Sequence, residues 1–264
     1  MCLKPKSASL TLLLLCCTLI AFAQDTTIDS LRATVRSAVK EETKLKAYVL
    51  LTGKLSLISF NETIRIGDEG LQLAAKLKDS LAYAELSRYT GMANYFKGDY
   101  EKAAASYFVA AGIYERNGDQ KALAYVYNDI AKLYRKTRDL KRAAENYEKA
   151  LLVFRVMNDS SGVQMVMNES GVVYEYQGNL EEAIRRYQAS LKIAEALNDE
   201  AGKGWSLSFL AGVYTLQSKF LLAEDYNLQT LGIRQKLKDT FSITLSYADL
   251  GVMYSAWSKF ERAA

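Results

Sequence analysis

Two positions recur together every forty residues along this chain, and their spacing restricts the folds available to it. The first position is always small, in Gly91, Ala131, Gly171, Ala211 and Gly251. The second lies three residues later and holds tyrosine in Tyr134, Tyr174, Tyr214 and Tyr254. Residues three apart lie on one face of an α-helix. The pattern therefore predicts one helix per repeat whose packing face carries a small residue beside an aromatic ring.

Two further columns complete each forty-residue unit. One holds alanine, at Ala103, Ala143, Ala183, Ala223 and Ala263. The other holds aspartate in a polar break, at Asp79, Asp119, Asp159, Asp199 and Asp239. Aspartate accepts hydrogen bonds from the free N–H groups at a helix start, so this column predicts helix N-caps. A shorter polar break, such as "QGNLEEA", divides each unit into two helices.

The small column also predicts how these helices pack. Glycine inside a helix costs ~1 kcal/mol relative to alanine, so a recurring Gly/Ala position implies that a larger side chain would not fit. Antiparallel helices with axes roughly 8–10 Å apart need such a position where they cross. The only proline is Pro5, and half of the residues are hydrophobic, which also favours helices packed around a core.

With these columns the chain resembles the tetratricopeptide-repeat proteins. The family's small–x–x–Tyr signature matches pairs such as Gly171 and Tyr174, and its second-helix alanine, with an aromatic residue four positions later, matches Ala183 and Tyr187. Two aromatics depart by one place, Tyr226 and Tyr95, and the proline that often closes a unit is absent. The period exceeds the common 34 residues and resembles the longer-helix branch of kinesin light chain repeats and bacterial peptide-responsive regulators. The resemblance implies an all-α fold, a right-handed α-solenoid of antiparallel helix pairs that binds a protein or peptide in its concave groove.

The repeat period predicts the boundaries of the units. We expect a signal peptide over residues 1–23, a lead-in over 24–40, and a degenerate capping repeat over 41–80 that lacks the Gly–Tyr signature. Full repeats follow over residues 81–120, 121–160, 161–200 and 201–240, in one array without a linker. Residues 241–264 form an incomplete repeat. Its stripe of Tyr247, Leu250, Tyr254 and Trp257 would lack a partner helix, so we expect the natural protein to continue, or this end to self-associate.

The N-terminus has the layout of a secretory signal peptide. Lys4 and Lys6 precede an apolar run that begins at Leu10, and the small-residue motif ending at Ala23 predicts cleavage there. A membrane anchor is the alternative, but the run is shorter than the ~20 residues of a spanning helix. A lipoprotein anchor at Cys16 or Cys17 would need a small residue before the cysteine, and neither has one. The interpretation is an exported, periplasmic or extracytoplasmic protein.

Several kinds of chemistry are excluded by composition. All three cysteines lie within residues 1–23, and the chain has no histidine, so the usual imidazole bases and Cys/His zinc sites are unavailable. "AGKGWS" at residues 201–206 does not satisfy the phosphate-loop pattern. Without Lys4 and Lys6, 32 basic residues stand against 30 acidic ones, which gives no electrostatic case for nucleic acid. We predict no enzyme activity for this chain, no cofactor and no metal.

The face of the first helices away from the core stripe supplies candidate binding residues. They are Tyr125, Asn128, Lys132, Arg135, Met165, Asn168, Trp205 and Arg88. Asn128 and Asn168 recur forty residues apart, and asparagine can both donate to and accept from a peptide backbone. Lys132, Arg135 and Arg88 could meet acidic groups of a ligand, while Met165 and Trp205 could supply apolar contacts.

Each of these assignments has a structural alternative. The asparagines could face solvent or hydrogen-bond between repeats, the charges could simply be solvated, and Trp205 could plug the junction between repeats. The tyrosines fit core packing better than a recognition ladder.

Two functional hypotheses follow. The first is an exported protein-binding module that serves as the input region of a longer signal-transduction protein, resembling bacterial sensor kinases and regulators with such repeats; a kinase domain would then lie beyond residue 264. The second is a free-standing periplasmic adaptor or assembly factor without a signalling output.

Overall fold

The computed structural model describes residues 27–257, and within them the chain forms twelve α-helices and no strand. The predicted signal peptide and the last residues of the incomplete repeat lie outside this range. The helices are α1 (27–37), α2 (Glu41–Leu55), α3 (Phe60–Leu77), α4 (Ser80–Lys97), α5 (Tyr100–Asn117), α6 (Gln120–Lys136), α7 (Leu140–Val156), α8 (Ser160–Tyr176), α9 (Leu180–Leu197), α10 (Glu200–Leu216), α11 (Phe220–Lys236) and α12 (Thr240–Ala256).

The chain divides into two compact units, Met1–Gly118 and Asp119–Ala264. In the first unit α2 packs on α3 and α4 on α5, and the first helices α2 and α4 also meet. In the second unit the pairs are α6 with α7, α8 with α9, and α10 with α11, while α8, α10 and α12 adjoin as first helices. Helices joined by such short turns run antiparallel. The predicted fold class, an all-α solenoid of antiparallel helix pairs, is confirmed in each unit; one continuous array stays a prediction.

The aspartate column caps the first helix of each repeat, as its position predicts. Asp79, Asp119, Asp159, Asp199 and Asp239 each accept a hydrogen bond from the backbone N–H three residues later, at 3.0 or 3.1 Å. Such a cap is worth ~1 kcal/mol because it satisfies an N–H group that the helix itself leaves open. The polar break acts in the same way inside three units, where Asp99, Asp139 and Asn179 cap α5, α7 and α9. Ser59 before α3 and Lys219 before α11 make no such side-chain cap.

The small column exists because a tyrosine of the second helix packs directly on it. A Cβ atom added to Gly171 would lie 2.3 Å from Tyr187 Cε1, and one added to Gly91 would lie 2.9 Å from Tyr107 Cε1. Both rings are fully buried. Tyr147, the equivalent ring of the unit whose small residue is Ala131, is fully buried as well. Larger residues would push the paired helices apart.

The tyrosines of the first helices pack against the core as the pattern predicts, and Tyr214 is buried within it. Tyr134 and Tyr174 are only half-buried, and each ring carries an arginine guanidinium on it, from Arg142 at 5.1 Å and Arg186 at 4.5 Å. These rings therefore close the edge of the helix pair beneath a cation, where cation–π attraction adds to their packing.

Replacing Gly171 by alanine tests the close approach. We expect Gly171→Ala to destabilise the protein by about 1–3 kcal/mol, because the Tyr187 ring must move to admit the methyl group. Gly212→Ala is the matched control: Gly212 is also inside a helix, but an added Cβ there meets nothing within 4 Å. The control should gain up to ~1 kcal/mol from helix propensity. Urea unfolding midpoints measure both, and equal shifts for the two variants would contradict the packing assignment.

Candidate functional site

A cavity of roughly 440 Å³ opens between α8 and α10 in the second unit, and we call it the Trp205 pocket. Its apolar wall consists of Met165 from α8 with Trp205 and Phe209 from α10. Its polar lining includes Gln164, Asn168, Glu169 and Asp199. The pocket therefore brings together three of the residues proposed from sequence, Met165, Asn168 and Trp205.

Trp205 is the most accessible large apolar group of this pocket, with 43% of its surface exposed. Its ring lies against Phe209, with centroids 6.4 Å apart, and the guanidinium of Arg234 stands 4.9 Å from its centroid. Phe209 in turn stacks on Tyr187 at 5.1 Å. The pocket wall is thus tied to the same ring that packs on Gly171, and an indole held this way is preorganised for contact.

Arg234 is a residue that the sequence analysis missed. It is only 4% exposed, and its Nη1 donates to Ser246 Oγ at 2.8 Å and to the Ser242 carbonyl at 3.1 Å. Burial lowers the pKa of its guanidinium. The signal available in the sequence was a charge in a column that holds Ala194 and Phe154, forty and eighty residues earlier.

Asn168 forms the floor of the pocket through a hydrogen bond between repeats. Its Nδ2 donates to Ser206 Oγ on α10 at 3.2 Å, and Ser206 also lies 3.0 Å from Ser190 Oγ. Beside it, Gln164 Nε2 donates to Asp199 Oδ2 at 3.0 Å, while Asp199 Oδ1 accepts from the Gly202 N–H. Asn168 thus forms the hydrogen bond between repeats that was the structural alternative for it, and its amide N–H already has Ser206 as an acceptor.

Asn128 corrects the prediction that both asparagines face the groove. The structure buries its side chain to 1% exposure, and no donor among the described residues reaches its Oδ1. The position equivalent to Ser206 one repeat earlier is Val166, which has no hydroxyl to offer. Asn168 is buried as well, at 7% exposure, so the two asparagines differ in their hydrogen bonds and not in their access to a peptide backbone.

Lys132 and Arg135 also differ from the prediction that they meet a ligand's acidic groups. Arg135 Nη2 lies 2.9 Å from Glu169 Oε2, and Lys132 Nζ lies 3.5 Å from Glu169 Oε1. Both cations come from α6 and neutralise a carboxylate on the next first helix. Their charge therefore stabilises the contact between repeats and also neutralises one edge of the Trp205 pocket.

The last two predicted residues lie away from the pocket lining. Tyr125 is half-buried on α6 and meets Phe154 edge to face, with centroids 5.1 Å apart. Arg88 is half-buried on α4 of the first unit. Neither position supports or removes a binding role for these side chains.

The half-buried carboxyl group of Glu175 lies behind the site. The Tyr187 hydroxyl donates to Glu175, and burial raises the pKa of that carboxyl, while the hydrogen bond and the charge of Arg135 act in the opposite direction. Burial beside Glu175 also raises the pKa of Tyr187. Glu175 is therefore part of the support beneath the pocket.

Other site types find no support among residues 27–257. No group of three or more His, Cys, Asp or Glu side chains there is arranged to hold a metal ion. No helix in the same range combines the length and apolarity needed to cross a membrane.

Comparison with known proteins identifies the repeat. Residues 163–236 match a family model described as tetratricopeptide repeat. BtubC (BKLC) from P. vanneervenii superposes with a TM-score of 0.67 at 22% identity, covering 78% of this chain and 87% of that one. Aspartyl phosphate phosphatase F from Bacillus subtilis gives a TM-score of 0.69 at 13% identity, covering 88% and 71%. The structure of NprR in complex with its cognate peptide NprX gives a TM-score of 0.65 at 16% identity, covering 90% of this chain and 69% of that one.

The match places a tetratricopeptide-repeat segment within residues 163–236, and the structural neighbours share the helical-repeat fold over most of the chain. Identities this low show the fold alone. A search of curated proteins gave no match.

The two asparagines offer a test of the polar floor. We expect Asn168→Ala to cost about 1 kcal/mol more unfolding free energy than Asn128→Ala, because only Asn168 loses a hydrogen-bonded partner. Each substitution removes the same atoms from a buried site, so the two variants control for lost packing. Urea unfolding of both measures the difference, and an equal or larger cost at Asn128 would contradict the assigned hydrogen bonds.

Proposed function

We propose that this chain is a binding scaffold whose Trp205 pocket receives an apolar side chain of a peptide or protein partner. The observation that carries the proposal is the partly exposed indole of Trp205 in a pocket whose carboxylates already have ion-pair or hydrogen-bond partners. Exposed aromatic residues in well-formed concave sites are typical binding anchors. The chain acts by binding and not by catalysis.

The charges around the pocket support an apolar ligand group. Glu169 is paired with Lys132 and Arg135, and both oxygens of Asp199 accept hydrogen bonds. A charged ligand group would compete with these partners and lose its hydration. An apolar side chain instead gains the burial of its own surface and that of Met165 and Trp205, worth ~25 cal/mol per Å².

The fold supports a peptide or protein as the source of that side chain. NprR, which shares the fold, was solved with its cognate peptide bound. A cavity of roughly 440 Å³ is large enough for one or two side chains but not for a folded domain, so a partner would insert a short segment.

We further propose that the scaffold is exported and forms the sensing input of a longer signal-transduction protein. The charged, apolar and small-residue layout of residues 1–23 supports export. The shared fold with aspartyl phosphate phosphatase F and NprR is consistent with a regulatory role. A periplasmic adaptor without signalling output is the second candidate, supported by the same leader and the same pocket.

Removing the indole should abolish specific binding. Peptides selected from a random phage-displayed library on the full chain should bind Trp205→Ser ~30-fold or more weakly, the loss typical of a central anchor. Leu152→Ser is the control, because Leu152 is also an exposed apolar residue but lies on the second helix α7. Fluorescence anisotropy measures both affinities. Unchanged affinity for Trp205→Ser would remove the pocket assignment.

Export has a separate test. The full chain fused to alkaline phosphatase, which needs disulfides, should be active in a bacterial host because disulfides form outside the cytosol. Deleting residues 1–23 should abolish that activity while the fusion protein still accumulates. Activity that survives the deletion would refute export through this leader.

A further inference from the structure

We propose a second binding site in the first unit, a cleft that receives a peptide segment with an aliphatic side chain beside a lysine or arginine. The cleft lies between the first helices α2 and α4 and measures roughly 770 Å³. We call it the Leu81 cleft. It does not depend on the Trp205 pocket, because all its lining residues lie within residues 42–85.

The cleft occupies the same place in the repeat as the Trp205 pocket. Leu45, Asp79 and Ala82 stand three repeat periods before Met165, Asp199 and Gly202 of the Trp205 pocket. All three earlier residues line the cleft. At the same interval, Glu85 stands in place of Trp205 and Val49 in place of Glu169. Two first helices therefore leave a cavity at the same position in two repeats, with different side chains in it.

The walls of the Leu81 cleft are aliphatic. Leu45, Val49 and Leu77 line it together with Leu50 and Leu81, which are 57% and 45% exposed. Leucine side chains held open to water in a concave surface favour burial by ~25 cal/mol per Å² of apolar area. No aromatic side chain lines the cleft among the residues recorded there, so a branched aliphatic group matches its walls better than a stacking ring.

The rim of the cleft is acidic. Asp79 accepts from the Ala82 N–H at 3.0 Å and Glu85 from the Tyr89 hydroxyl at 3.3 Å, but neither donor carries a positive charge. Glu42, Asp79 and Glu85 stand against one cation, Lys46. No ion pair within 4.0 Å joins Glu42 or Glu85 to a cation among the described residues, whereas the neighbouring Glu41 pairs with Lys76. This differs from the Trp205 pocket, where two cations neutralise Glu169.

Charge complementarity decides the ligand class. Carboxylates without a paired cation, lying beside an aliphatic wall, attract a cation whose neighbour is apolar, and they repel an acidic segment. Lysine and arginine can also lay their own methylene stems along the leucines. A basic, leucine-containing segment therefore satisfies both the wall and the rim.

Methyl NMR of the full chain with three synthetic peptides tests this proposal. The probes are acetylated, amidated Gly-Leu-Lys-Leu-Lys-Gly, its glutamate counterpart Gly-Leu-Glu-Leu-Glu-Gly, and its serine counterpart Gly-Ser-Lys-Ser-Lys-Gly. We expect the first peptide to shift the methyl resonances of Val49, Leu50 and Leu81 saturably. The other two should bind at least about tenfold more weakly, since each lacks one of the two complementary features.

Variants separate the cleft from general surface charge. Glu42→Gln with Glu85→Gln should weaken the first peptide about tenfold, while Glu101→Gln with Glu115→Gln, two exposed carboxylates on α5, should leave its affinity unchanged. Trp205→Ser should also leave it unchanged. Unshifted cleft methyls, equal binding of the acidic peptide, or full affinity in the Glu42 and Glu85 variant would each overturn the proposal.

Discussion

The fold depends on one contact, a tyrosine ring of the second helix resting on a small residue of the first. Tyr187 above Gly171 shows it most closely, and Tyr107 above Gly91 repeats it in the other unit. Not every unit uses it. In the degenerate repeat Leu51 holds the small position and Gly67 the tyrosine position, both buried, and in the unit of Ala211 the tyrosine position holds Asn227. A helix pair therefore also forms with other side chains at these two positions.

The binding sites follow from this contact. Close pairing fixes where each first helix stands beside the next, and that spacing leaves a cavity at one position in the repeat. The rings then connect core to surface, because Tyr187 supports Phe209, which supports Trp205. What the cavity binds is decided by residues that the fold does not constrain, such as Trp205 in one repeat and Glu85 in another. The packing residues that recur between repeats and the cavity residues that differ between them therefore occupy different columns.

Periodicity predicted the helices, their aspartate caps and the small-residue contacts because each depends on residues within one forty-residue unit. It was less reliable for the site. Met165, Asn168 and Trp205 meet in one pocket, but Asn128 is buried with no donor to its Oδ1, and the position equivalent to Ser206 holds Val166. Lys132 and Arg135 are neutralised by Glu169, a partner on the next first helix that spacing alone does not identify. The contacts of a side chain that faces another repeat depend on the residues of two units. The forty-residue pattern describes only the residues of one unit.

The nuclear Overhauser effect between Gly171 and Tyr187 tests the central contact most directly. A Cβ atom at Gly171 would lie 2.3 Å from the ring, so the α protons of this glycine must lie close to the ring protons of Tyr187. The account predicts strong cross-peaks between them and none to an aromatic ring from Gly212, where nothing lies within 4 Å of the same position. Absence of the Gly171 cross-peaks in the folded protein would contradict the packing on which the Trp205 pocket rests.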